Sequence, residues 1–243
     1  MRPFIYLPPR LKNDFKKEIG LFVTTYIERI SPVFSSIDDE SQQKAEEYYS
    51  EIGCYFDPER DDPAEYAQRA HEFGYEYWAG MMLMQYNTRL MNISTLYQYW
   101  EQQLRRFFYS ELTRQHRLFD TKGRQYEFKN FCTNITQIEN VLLQCGVDKN
   151  SLNSWTKINE LRLVQNVIKH GDGKSAEDLE ISRPDIFRTV ADSETRIKDL
   201  YLSILNERAL DIDDSEFIKY GEALQEFWDE LPEHMYLEIN DEA

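Results

Sequence analysis

Three side chains that can do chemistry stand four residues apart: Arg162, Asn166 and His170. On a helix of 3.6 residues per turn, each step of four advances by about 40°, so the three share one strip. A guanidinium, an amide and an imidazole so arranged suit a phosphate or a ribose. The cation meets anionic oxygens, the amide donates and accepts, and the imidazole gives or takes a proton near neutral pH. Each residue also has a plainer role. His170, just before Gly171, is a cation at a helix C-terminus, worth about 0.3–1 kcal/mol through the dipole. Asn166 can bond the closing turn, and Arg162 suits a surface ion pair.

The element that must position them runs from Ile158 to Gly173. Ile158, Leu161, Val164 and Ile168 recur at three- and four-residue steps and give one apolar face. Gly171 and Gly173 end it, because glycine readily takes the left-handed conformation that closes a helix. Similar spacing predicts helices over most of the chain. One spans Leu11–Ile30 and stops at Ser31-Pro32; a second, capped by Asp38 or Asp39, runs to about Ile52. A long one opens at Pro63 and reaches about Gln115, with Gly74 and Gly80 marking a break or a close packing point. Asp120–Gly123 is a turn, and Tyr126–Gln144 a further helix. The central helix begins at Ser151 or Asn153, Ser175–Leu179 makes a short helical turn, and Pro184 starts a helix to about Leu205. Asp213-Asp214-Ser215 caps a last helix ending near Leu231-Pro232. Residues 1–10 read as irregular, since Pro3, Pro8 and Pro9 bar a helix. Strand signals are almost absent, so the chain reads as all-α.

With 243 residues, 41% hydrophobic and 14% aromatic, the chain can bury a substantial core. No run approaches the roughly 20 apolar residues that span a bilayer, and the N-terminus lacks the apolar core of a signal peptide. Cys54, Cys132 and Cys145 show no metal-type spacing and cannot all pair, which points to a reducing cytoplasm. The four histidines are scattered, so no metal site is expected, and no cofactor motif is present. The chain has no glycine-rich phosphate loop, no paired-histidine zinc helix and no Gly-x-Ser-x-Gly elbow.

A net charge of −16 disfavours nucleic acid as a partner in bulk. Its distribution matters more. Residues 211–243 hold twelve Asp/Glu against one Lys, and residues 38–66 hold eleven against Lys44 and Arg60. Residues 105–129 carry a net +4. The acidic segments either keep the protein soluble or face a basic groove or partner.

Asn166-Val167-Ile168-Lys169-His170-Gly171, late in a helix and followed by a glycine-containing turn, resembles the signature of HEPN proteins. These are helical domains whose hallmark is an Arg, usually followed by Asn or another polar residue, with a His four to six residues beyond the Arg. Tyr97-Gln98-Tyr99-Trp100-Glu101-Gln102-Gln103-Leu104 is similar to the family's earlier helix, where an acidic residue, here Glu101, lies near the motif. Lys174–Leu179 and Arg183-Pro184-Asp185-Ile186-Phe187 are similar to a tail that follows the motif in bacterial HEPN-like proteins. The resemblance covers roughly residues 80–205. It departs from the family at Gln165, which stands where the family has Arg directly before Asn. Asp172 also stands where some members carry a modifiable tyrosine.

The resemblance implies an all-α, HEPN-like helical bundle at residues 80–210, with a helical extension at 1–79 packed on it and an acidic C-terminal helix and tail at 211–243. It implies a homodimer whose two motifs face one cleft and cleave RNA without metal, in a bacterial defence or toxin–antitoxin setting, with RNA and an antitoxin or other defence protein as partners. His170 would take the ribose 2′-OH proton or protonate the leaving oxygen. Asn166 would act beside it, Arg162 would contact phosphate, and Glu101 would orient the motif or pair with Arg105 at i+4. Arginine stabilises charge building on phosphorus oxygens far better than Gln165, and losing such a contact costs about 100- to 1,000-fold in rate. Gln165→Arg is therefore expected to accelerate cleavage. Two other readings stand beside this one: a HEPN-like interaction module whose nuclease chemistry is lost, and a helical adaptor that binds a basic partner through residues 211–243.

Overall fold

The computed structural model describes residues 4–115 and 127–237. The turn expected at Asp120–Gly123, the start of the helix expected at Tyr126, and Arg117, Lys122 and Arg124 of the basic stretch lie outside them. In chain order the described elements are strand β1 (Phe4–Tyr6), helix α1 (Pro9–Thr25), α2 (Ile37–Gly53), α3 (Pro63–Gln115), α4 (Ile135–Gln144), α5 (Trp155–His170), α6 (Lys174–Ser182), α7 (Ile197–Tyr201), α8 (Asp214–Glu230) and strand β2 (His234–Tyr236). The class is all-α. Short π and 3-10 turns over Tyr26–Phe34 follow α1.

The chain packs as two units that are interleaved along the sequence, whereas the sequence reading laid its domains end to end at 79 and 210. One unit comprises residues 1–23, 93–182 and 213–243; the other comprises 24–92 and 183–212. Both include part of α3, which continues unbroken through Gly74 and Gly80.

In the first unit α5 is packed against both α6 and α8. The core is aromatic: Trp100 of α3 meets Phe227 of α8 edge-on at 5.1 Å, and Phe15 of α1 lies 4.4 Å from Trp228. Both tryptophans are fully buried. α8 begins where Asp213 accepts the Glu216 N–H at 3.0 Å, as its sequence predicts. At its other end the Glu230 carboxylate accepts the N–H groups of Asn153 and Ser154, at 2.6 and 3.2 Å, just ahead of α5. The acidic C-terminal helix is thus part of the core, and two more of its carboxylates have local partners: Glu216 pairs with Lys157 at 2.6 Å, and Asp229 with Lys16. A deletion of 211–243 removes Phe217, Tyr220, Leu224, Phe227 and Trp228 from the interior, so it cannot serve to separate partner binding from folding.

Three local expectations give way to non-local partners. The segment read as irregular holds a strand: Phe4–Tyr6 pairs antiparallel with His234–Tyr236, with Ile5 opposite Met235. The helix expected from Tyr126 starts only at Ile135. Asn134 caps it by accepting the Gln137 N–H at 3.0 Å, and Cys132 sits at φ 48°. Arg105 of α3 holds the Phe131 carbonyl at 3.1 and 2.9 Å, so that oxygen is bonded by a side chain rather than by a helical N–H.

The third difference lies in the second unit. The expected helix over Pro184–Leu205 is instead a 3-10 turn at Pro184–Ile186, two isolated bridges (Phe187 with Leu210, Thr189 with Arg196) and the short α7. Asp192 at φ 58° and the Ser193 hydroxyl, which accepts the Thr195 N–H at 3.0 Å, turn the chain back on itself. Within the same unit α2 and α3 form a hairpin. Gly74 lets the helices meet, since a Cβ there would sit 2.8 Å from the Ser41 carbonyl. Tyr86, buried, accepts the Leu210 N–H at 3.1 Å and donates to the Ile204 carbonyl at 2.9 Å.

Candidate functional site

α5 carries most of the candidate residues, and burial sorts them. Ile158, Leu161, Val164 and Ile168 are buried, as their spacing requires, and so are Trp155, Leu163 and Val167. This helix is covered on more than one side, by α6 and α8. What remains is a narrow edge. Arg162 and Asn166 are half-buried on it and His170 is exposed at its end. The strip read from the four-residue spacing therefore exists on the surface of one unit.

Gln165 is not on it. It is 5% exposed and belongs to the interior, about 100° around the helix from Asn166. A side chain there reaches a phosphate only if α5 turns.

Each strip residue has a definite neighbour. The Nε and Nη2 of Arg162 donate to Asn159 Oδ1 at 3.1 and 2.9 Å, one turn earlier on the same helix. Asn166 Nδ2 donates to Ser175 Oγ of α6 at 3.3 Å. His170 is the last residue of α5. Gly171 follows at φ 70° and donates its N–H to the Val167 carbonyl at 2.8 Å. That positive φ favours glycine and turns the chain toward α6.

Glu101 approaches this helix from α3. It is half-buried, and burial pushes its carboxyl above the usual range, against the opposing pull of Arg105 and Lys169. The charge it feels from α5 is thus that of Lys169. The i+4 pairing with Arg105 does not form, because the Arg105 Nε and Nη2 donate to the Phe131 carbonyl. Tyr97, one turn before Glu101, is buried and its hydroxyl is pushed upward, first by desolvation and then by the Glu101 charge, with Arg162 opposing.

Tyr97, Lys169 and Ser175 therefore belong to the site, although sequence reading gave them no role of their own within the stretches that carry the resemblance. Tyr97 opened the stretch quoted for Glu101, and Lys169 stood between Ile168 and His170 in the motif itself. The four-residue step from Tyr97 to Glu101 was the available signal.

The arrangement offers two exposed cationic or titratable groups, Lys169 and His170, beside the half-buried guanidinium of Arg162, a carboxyl that resists ionisation and a fixed amide. It can bind an anion and move a proton. A thiol nucleophile is a poor alternative: burial pushes Cys132 up to about 11 and Cys145 up to about 12, so neither is a thiolate near neutrality. Among the described residues, no three His, Cys, Asp or Glu side chains are grouped to hold a metal ion. No described helix is long and apolar enough to cross a membrane.

No protein-family model, curated protein or solved structure matches the chain.

Proposed function

We propose that this chain is a HEPN-like protein that acts on RNA through the α5 edge, as a homodimer, in a bacterial defence or toxin–antitoxin setting. The observation that carries the reading is the placement of Arg162, Asn166 and His170 on one edge of α5, ending at a glycine-terminated turn. His170 is the proton carrier, able to accept from a ribose 2′-OH or donate to a leaving oxygen. Lys169 and Arg162 supply positive charge for phosphate oxygens. Glu101, reaching from α3 toward Lys169, is the residue that orients the motif. Pairing of two such edges would place two imidazoles in one cleft, and an antitoxin or other defence protein is the natural regulator.

A second reading has its own support. Burial of Gln165 leaves the edge without an arginine next to Asn166, and the Asn166 amide is engaged by Ser175. Both favour a HEPN-like interaction module without nuclease chemistry.

Cleavage of total cellular RNA and tRNA by the purified protein, in EDTA, separates the two. Cutting by wild type that is lost in His170→Ala supports the ribonuclease. Absence of cutting by both, with RNA still bound or a partner protein still captured through this edge, supports the module.

A further inference from the structure

From Tyr77 to Asn92 the long helix α3 carries one charged residue, Arg89, in a chain that is 30% charged. Arg89 is turned toward its own unit, where its Nη1 donates to the Ile212 carbonyl at 3.3 Å. On the opposite side of the helix large apolar side chains are left uncovered. Met84 is 49% and Met91 56% exposed, and Phe73, stacked on Tyr48 at 4.5 Å, is 41% exposed. At about 100° per residue these three and Gly80 fall within a strip about 40° wide. Asn87 borders the strip and donates to the Leu205 carbonyl at 2.9 Å, which brings a further exposed leucine to its flank. All of these residues belong to the second unit.

Gly80 has no role within the chain. Glycine inside a helix is unfavourable relative to alanine. Gly74 is explained by the close passage of α2, but a Cβ at Gly80 would meet no atom within 4 Å. Gly80 is therefore a notch that opens outward.

The positions of the four residues are symmetric. Phe73 and Met91 are equally distant from residue 82, and so are Gly80 and Met84. When two copies of this helix pack antiparallel about a twofold axis at residue 82, every contact occurs twice. Met84 enters the Gly80 notch of the other copy, and Phe73 meets Met91. The Glu72 and Glu76 carboxylates then fall opposite the uncharged stretch 87–92 of the other copy, whereas a parallel pair would set them against their own counterparts. A chain of net charge −16 repels its copies, and this strip lets two of them touch without opposing charges. Depletion of charge with enrichment in methionine and aromatic residues is also the composition of an interface core.

We infer that the second unit carries a self-association surface, the Phe73–Gly80–Met84–Met91 strip of α3, and that its partner is a second copy of this chain packed antiparallel across it. The surface is separate from the α5 edge, which lies in the first unit, and it needs no nuclease activity.

Sedimentation velocity of the full chain over a range of concentrations tests this. Wild type is expected to associate reversibly. Met84→Glu with Met91→Glu is expected to halve the mass of the assembly, because each carboxylate would be buried against apolar groups of the other copy. Gly80→Leu is expected to weaken association about tenfold or more. Its circular-dichroism melting at high dilution should be no lower than that of wild type, since the new side chain meets nothing in its own chain; a folding defect would lower both. Leu21→Glu, at an exposed apolar position of the first unit, is expected to leave association unchanged. A wild type that stays monomeric overturns the inference. So does an assembly whose mass the Met84→Glu, Met91→Glu variant leaves unchanged, or one that Leu21→Glu dissociates equally well.

Discussion

Asn166 reaches across the turn after His170 to donate its amide N–H to the Ser175 hydroxyl, joining α5 to α6 at 3.3 Å. A residue that the four-residue spacing marks as chemical is therefore also a structural tie, and the two roles compete for the same donor. Ser175→Ala and Asn166→Ala should each cost about 0.5–1.5 kcal/mol, or roughly 2–4 °C in Tm per kcal/mol. The double variant should be no worse than the poorer single one, because both remove one bond. If the two effects add fully in thermal unfolding, the bond contributes nothing. Ser175→Ala also frees the Asn166 amide, so any RNA cleavage should be retained or raised.

Gln165→Arg, the substitution that restores the family pattern on paper, should not restore function. The side chain is 5% exposed, and an unpaired guanidinium there costs about 3–5 kcal/mol. We expect a large fall in thermal stability and no gain in cleavage rate, while Gln165→Met stays within about 1.5 kcal/mol of wild type. A well-folded Gln165→Arg protein that cuts RNA faster would show that α5 rotates in solution.

Glu101 gives a pH signature. Its carboxyl is raised above 4.5 mainly by burial, so the folded state holds the proton more tightly than the unfolded one. The stability this group contributes is full below its unfolded value and is lost as pH rises through the folded value. Glu101→Gln should therefore be more stable than wild type at neutral pH, with the difference vanishing toward pH 4. Denaturant midpoints of both proteins across that window check the sign. Equal pH profiles would mean that Glu101 is solvated. Replacing Lys169 by Gln should push the Glu101 carboxyl higher still, since its charge opposes the shift.

Gly221 of α8 marks a close approach to α1. A Cβ built there lies 2.4 Å from Val23 Cγ2, inside any real contact distance. Alanine gains up to about 1 kcal/mol of helix propensity, but forcing the helices apart costs about 1–3 kcal/mol, so Gly221→Ala should destabilise. With Val23→Ala in the same chain the clash is gone, and the same substitution should stabilise by up to about 1 kcal/mol. Urea midpoints of the four proteins in this cycle decide it.

What the sequence determined was local. The cap at Asp213, the start at Pro63 and the glycine stop after His170 are decided by side chains within a turn of the backbone they satisfy. The apolar stripes of α5 and α8 are likewise set by spacing along one helix, so the all-α class and the Arg162–Asn166–His170 strip were legible. Tertiary structure decided everything that depends on what a second element covers. Only packing by α6 and α8 could tell that Gln165 faces inward while Asn166, one residue on, stays at the edge. The β1–β2 pair joins residues some 230 apart, so neither strand announces itself alone. The Pro184–Leu205 segment had helical spacing, yet its backbone found partners at Leu210 and Arg196 instead. Gln103 and Glu18, 85 residues apart in sequence, are joined by a hydrogen bond that no spacing along either helix announces. Periodicity records which face of an element is apolar; it does not record which neighbour arrives to bury it.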